Sequence, residues 1–142
     1  MARSSEQRRV AERLHSAAIH VLRYARQADR VSAIGPAQLS ALSVLVYSGP
    51  SNLRELADAE QVAPPTMTRI VAALRRGGYV RLKRCPDDAR ARVVEAAAKG
   101  VAALEKARGA RLDLIDGMLS RCAPADVALL GKALAAVFPQ AP

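Results

Sequence analysis

The segment PPTMTRIVAALRRGGYVRLKR, residues 64–84, carries six cationic side chains and no anionic one. Its first part spaces Met67, Ile70, Val71 and Leu74 at intervals of three, one and three, which predicts a helix with one apolar stripe. Pro64 and Pro65 suit the first turn of that helix, and Gly77-Gly78 suits its end. From Tyr79 the pattern becomes alternating, with Tyr79, Arg81 and Lys83 on one side and Val80 and Leu82 on the other, as in a strand. The turn CPDDAR and a second strand, ARVVEA, complete a β-hairpin. A basic helix running straight into a basic hairpin decides the fold.

Working upstream, Asn52 and Glu55 have the spacing of a capping box and start a short helix over 53–60, joined by the turn EQVA to the helix of 64–77. Two short helices, a tight connection and a hairpin make a winged helix-turn-helix, in which Leu53, Leu56 and Ala57 pack under the apolar stripe of the second helix. Around it lie longer helices. One covers 5–29, with Ser4 and Gln7 as a capping box and Val10, Leu14, Ala17, Val21, Leu22 and Ala25 as its stripe. Gly35-Pro36 opens a helix to about Tyr47 that is apolar enough to be well buried, through Leu39, Leu42, Val44, Leu45 and Val46. A further helix covers 98–122, and Pro124 starts a last one in which Val127, Leu130, Leu134 and Val137 face inward. The fold class is mainly α, in the order α-α-α-α-β-β-α-α.

Composition bounds the function. A chain of 142 residues makes one domain, or one domain with helical extensions. No apolar run approaches the ~18 residues that span a bilayer, so no membrane partner and a cytoplasmic location are expected. The net charge is +9, and 18 of the 22 basic residues are arginine, so a polyanion is the expected partner; a bias towards arginine and alanine competes with that reading. His15 and His20 stand five residues apart on a helix, and Cys85 and Cys122 fit no metal-ligand spacing, so neither metal nor cofactor is expected. With no Ser/His/Asp grouping and no phosphate loop, the chain does not read as an enzyme.

Placement of the charge is more informative than its sum. Opposite the apolar stripe of the helix come Pro65, Arg69, Ala72 and Arg76, with Thr66, Thr68 and Arg75 on its shoulders. Between Glu60 and Asp87 there is no acidic residue, whereas a merely solvated face mixes signs. Arginine reaches guanine edges or phosphates, threonine reaches phosphates or a thymine methyl, and alanine permits close approach, all of which suits a major groove. Arg81, Lys83, Arg84, Arg90 and Arg92 make the hairpin a cationic ribbon fit for the flanking minor groove. Asp88 reads equally as a brace for Arg90 or another arginine and as an ordinary turn aspartate. The expected partner is double-stranded DNA. The competing classes are a nonspecific or architectural DNA-binding protein, told apart by its small specificity ratio, and a protein-interaction module.

These residues resemble the MarR family of bacterial transcriptional regulators. The resemblance lies in ELA of the first motif helix, PPTMTR opening the second, GGYV leading into the wing, and the wing pattern Asp88, Arg90, Val94 and Gly100. The family's Leu-Thr is here Ala96-Ala97, which leaves the helix from 98 without a hydroxyl cap, a loss of about 1 kcal/mol. Gln61 occupies a turn position that often holds glycine. The resemblance implies a homodimer, with 1–34 and 98–142 as its helical dimerisation region and 35–97 as its DNA-binding domain. It implies a pseudo-palindromic operator, Arg69, Thr66 and Thr68 at the major groove, and Arg90 braced by Asp88 at the minor groove; a repressor is the expectation, with an activator left open. It also implies release by a small aromatic effector, whose pocket His15, His20, Arg23, Tyr24 and Tyr47 would line unless they are packing residues. Cys85 follows Lys83-Arg84, but its place in the wing differs from the N-terminal cysteine of the peroxide-sensing branch, so redox sensing is not expected.

Overall fold

Proline, glycine and one asparagine mark several of the points where helices begin or end. The computed structural model describes residues 5–30, 32–85, 87–88 and 92–139. Among these, the elements are α1 (Ser5–Asp29), α2 (Pro36–Tyr47), α3 (Leu53–Ala59), α4 (Pro64–Arg76), β1 (Val80–Arg84), β2 (Arg92–Ala96), α5 (Ala98–Leu119) and α6 (Pro124–Val137). The order is that expected from the sequence, with boundaries shifted by at most three residues. The Ser4–Gln7 capping box lies outside the described residues, because Ser4 does.

At α2, Pro36 sits in the first turn and the backbone N–H of Gly35 donates to Gln38 Oε1 at 3.2 Å. At α3 the capping box is complete: Glu55 N–H donates to Asn52 Oδ1 at 2.9 Å, and Asn52 N–H donates to Glu55 Oε2 at 3.0 Å. The ends of α3 and α4 are closed in one and the same way. Val62 N–H reaches Ala57 O at 3.0 Å and Gln61 N–H reaches Asp58 O at 3.1 Å, while Tyr79 N–H reaches Leu74 O at 2.9 Å and Gly78 N–H reaches Arg75 O at 3.0 Å. Both are Schellman motifs, which need a left-handed residue just past the helix. Gly78 fills that slot with φ +75°, whereas Gln61 adopts φ +54° against the steric preference of an L side chain.

The chain divides into two compact units, Ala25–Gly109 and a second made of Met1–Tyr24 with Ala110–Pro142. The core of the first is aliphatic: Ile34, Leu39, Leu42, Leu56, Met67, Leu74 and Val94 are fully buried, and Leu45, Val71, Val80 and Leu104 nearly so. Within it, α2 lies against α3, α4 and β2, α3 against α4, and α4 against β1. Leu53 is not part of this core; it stays 38% exposed, since the first residue of α3 turns outward with the capping box. The hairpin pairs β1 and β2 antiparallel, with Val80 opposite Ala96, Arg81 opposite Glu95 and Leu82 opposite Val94. On the far edge of β2, Ser51 exchanges two backbone hydrogen bonds with Val94, at 3.1 and 2.8 Å, which ties the wing to the segment before α3.

The second unit is different in kind. No residue of α6 is buried, and Leu130, Leu134 and Val137 are exposed rather than inward-facing, as are Val10, Leu14 and Leu22 on α1. Among the described residues no helix is long and apolar enough to cross a membrane.

Candidate nucleic-acid interface

Helix α4 presents its two faces as the periodicity predicts. Met67 and Leu74 are fully buried, Val71 nearly so and Ile70 half-buried, while Pro65, Thr66, Thr68, Arg69, Arg75 and Arg76 are exposed and Ala72 is half-buried. Pro64 and Pro65 have no N–H, and Thr66 N–H is held by Ala63 O at 2.9 Å, so the start of α4 offers few free backbone donors to an anion. Any phosphate contact from this helix has to come from side chains. Thr68 is already engaged: its hydroxyl donates to Pro64 O at 3.0 Å, so that proton is committed within the helix. Among the described residues, Arg69, Arg75 and Arg76 have no acidic partner.

The hairpin is less uniformly basic than its sequence suggests. Arg81 Nε donates to Glu95 Oε2 at 2.8 Å, and Lys83 Nζ lies 4.0 Å from Glu95 Oε1. The hydrogen bond from Arg81, with the charges of Arg81 and Lys83, holds the Glu95 carboxyl below its ordinary value against a smaller opposing effect of desolvation. Arg84 and Arg92 stand directly opposite each other on the other face of the ribbon, both exposed. Two like charges so placed repel, and a phosphate between them would relieve that. Asp88 is exposed; Arg90, and with it the proposed brace, lies outside the described residues.

Sequence reasoning missed two residues. Glu95 was hidden because its effect depends on the register that puts it opposite Arg81, 14 positions away. Lys99, in the first turn of α5, donates to Gly77 O at 2.7 Å and sits 4.7 Å from the centre of the Tyr79 ring. The only hint in the sequence was the Gly77-Gly78-Tyr79 run itself, an open helix end beside an aromatic ring. The expected ligand-pocket residues do not gather in one unit: His15, His20, Arg23 and Tyr24 belong to the second unit and Tyr47 to the first, and all five are exposed. Cys85 is half-buried and Cys122 exposed, both as free thiols. Among the described residues no group of His, Cys, Asp and Glu side chains is placed to hold a metal.

The MarR family model matches residues 34–91. Over 103 residues the chain is 35% identical to an HTH-type transcriptional regulator of Mycobacterium leprae, covering 72% of each chain. The chain belongs to the MarR family. A regulator of Mycobacterium tuberculosis shows the same 35% identity over 103 residues, again with 72% of each chain covered. Among solved structures, a transcriptional regulator from Thermotoga maritima is 26% identical with a TM-score of 0.82, covering 94% of this chain and 96% of its own. A MarR family protein from Bacillus stearothermophilus is 18% identical with a TM-score of 0.84, covering 99% and 98%. An oligodeoxyribonucleotide-bound MepR variant from S. aureus, 14% identical, shares the fold with a TM-score of 0.71 over 92% and 96%. The MarR fold is thus present over nearly the whole chain, with its winged helix-turn-helix in the first unit. Transcription regulation through DNA binding is the class to which the relatives assign it.

Proposed function

We infer that this MarR-family protein is a sequence-specific repressor that binds a pseudo-palindromic operator as a homodimer. The observation that carries this reading is the outward face of α4, where Arg69, Arg75 and Arg76 stand exposed, without acidic partners among the described residues, beside small residues and threonines. In this reading α4 enters the major groove, Arg69 reads base edges, and Thr66 and Thr68 make the neighbouring contacts. The wing, with Arg84, Arg92 and Arg90, follows the flanking minor groove. Residues 35–97 act as the DNA-binding domain. Residues 1–34 and 98–142 act as the dimerisation region, which is supported by the apolar side chains that α1 and α6 leave uncovered. Two half-sites about 34 Å apart, one helical turn, fit such a dimer. The protein works in the cytoplasm, and a small aromatic ligand releases it from DNA.

The test is binding of the purified protein to the promoter upstream of its own gene, against scrambled DNA, at about 150 mM salt. Tight binding that survives excess competitor supports a specific regulator. Equal, salt-fragile binding to both duplexes supports the rival, a nonspecific or architectural DNA-binding protein. No binding to either sinks both.

A further inference from the structure

We propose that Lys99 is a positioning residue for DNA recognition, fixing the C-terminal end of the recognition helix α4 against the first turn of α5 and making no phosphate contact of its own. This rests on the reading of α4 as the element that reads DNA.

Three groups converge on Tyr79, the residue that follows the Schellman closure of α4. Its N–H closes the helix on Leu74 O at 2.9 Å, and its C=O accepts from Ala97 N–H, also at 2.9 Å, at the entrance to α5. Gly100, in the first turn of α5, packs so closely on Tyr79 O that no side chain fits between them. Lys99 closes the joint from outside. Its stem passes Gly78, with Cδ 3.9 Å from where a Cβ would stand, and its ammonium donates to Gly77 O at 2.7 Å and lies 4.7 Å from the Tyr79 ring centre. A carbonyl at a helix C-terminus carries the negative end of the helix dipole, so a cation there is held by charge, hydrogen bond and ring together. The ammonium is thereby committed to the protein. What it sets is the height and rotation of the last turn of α4, which bears Arg75 and Arg76.

A positioning role and a phosphate contact leave different traces. Binding is compared on the tightest duplex that the wild-type protein selects from a random-sequence library and on poly(dI-dC), each across a salt series, with thermal melts of the same samples. Lys99→Met, which keeps the stem and removes the charge, is expected to lower affinity for the selected duplex about fivefold and to leave poly(dI-dC) affinity and both salt slopes unchanged. Lys99→Arg, which restores a cation over Tyr79, is expected to recover most of the loss. Should Lys99→Met melt below the assay temperature, Tyr79→Leu takes its place, with the same loss of selected-duplex affinity expected. An equal loss on both DNAs with a salt slope smaller by about 0.9 would make Lys99 a phosphate contact and overturn the proposal. Unchanged affinity for the selected duplex in a folded variant would also overturn it, leaving Lys99 a stabilising residue only. A wild-type protein that selects no duplex would remove the reading of α4 itself.

Discussion

Replacing Gly100 by alanine sets two physical effects of opposite sign against each other. Helix propensity alone favours the change, because alanine is better than glycine inside a helix by about 1 kcal/mol. Packing opposes it. A Cβ at Gly100 would collide with Tyr79 O and meet Tyr79 C at 3.1 Å and Leu42 Cδ2 at 3.0 Å. Leu42 is fully buried and Tyr79 O is backbone, so neither gives way cheaply. The first turn of α5 has to lift, at an overpacking cost of about 1–3 kcal/mol with the upper end apt for a backbone clash. Lifting also breaks the 2.9 Å bond from Ala97 N–H to Tyr79 O, a further loss of about 1 kcal/mol. The balance is a destabilisation of about 2–3 kcal/mol. For a chain of 142 residues, with an unfolding entropy of about 0.3 kcal/mol per kelvin, the melting temperature falls by about 7–10 °C. The control lies in the same helix: a Cβ on Gly109 meets nothing within 4 Å, so Gly109→Ala should raise the melting temperature by about 3 °C. Melts followed by circular dichroism decide it. If Gly100→Ala melts at or above the wild-type temperature, the close approach of α5 to Tyr79 is wrong.

Further outcomes follow from single residues. Gln61→Gly relieves the left-handed strain at the end of α3 and, after the entropy lost to glycine, should stabilise by about 0.5–1 kcal/mol in a denaturant titration; destabilisation would mean that the glutamine side chain does something there that its backbone angle does not reveal. Arg69→Ala should reduce affinity for the selected duplex by about 1–3 kcal/mol, whereas Arg13→Ala on α1 should hardly change it; equal losses in a fluorescence titration would reject α4 as the reading helix. The Glu95 carboxyl is held below its ordinary value, so what it contributes to the wing is present above the unfolded value near 4.5 and is lost as the pH falls through the lower folded one. A carbon-detected NMR titration should place its midpoint below 4.5, and Arg81→Ala should bring it back up; a wild-type midpoint at or above 4.5 contradicts the pairing.

Much of this architecture could be read directly from residue types, for identifiable reasons. Gly35-Pro36, Asn52 with Glu55, Pro64-Pro65 and Gly77-Gly78 act within a few residues of themselves, so local chemistry located the helix ends that they govern. Residues 79–84 alternate with a period of two, and that alone separated wing from helix. The elements that escaped depend on contacts distant in sequence. Ser51 joins the sheet through one residue, too short for any pattern. Lys99 acts across 22 positions on a carbonyl, a group every residue has. On α6 the spacing of Leu130, Leu134 and Val137 revealed an apolar face but not its exposure, because a stripe left uncovered looks in sequence like one made for the chain's own core. The outward face of α4 was legible for a simpler reason: a run from Gln61 to Pro86 without a carboxylate is a property of the sequence itself.

The bridge between Ser51 and Val94 has a consequence for how this protein keeps company with its own copies. With β1 on one side and Ser51 on the other, β2 is enclosed at Val94, and the open row of peptide groups is the outer edge of β1. An open strand edge invites a strand of another molecule to join it, which is how ordered aggregates grow. Here the invitation carries its own refusal. Along five residues that edge bears Arg81, Lys83 and Arg84, so a second wing pairing with it would set cation against cation. The residues that make the ribbon attractive to a polyanion therefore also keep concentrated protein from stacking wing to wing, and neutralising them would cost solubility as well as affinity.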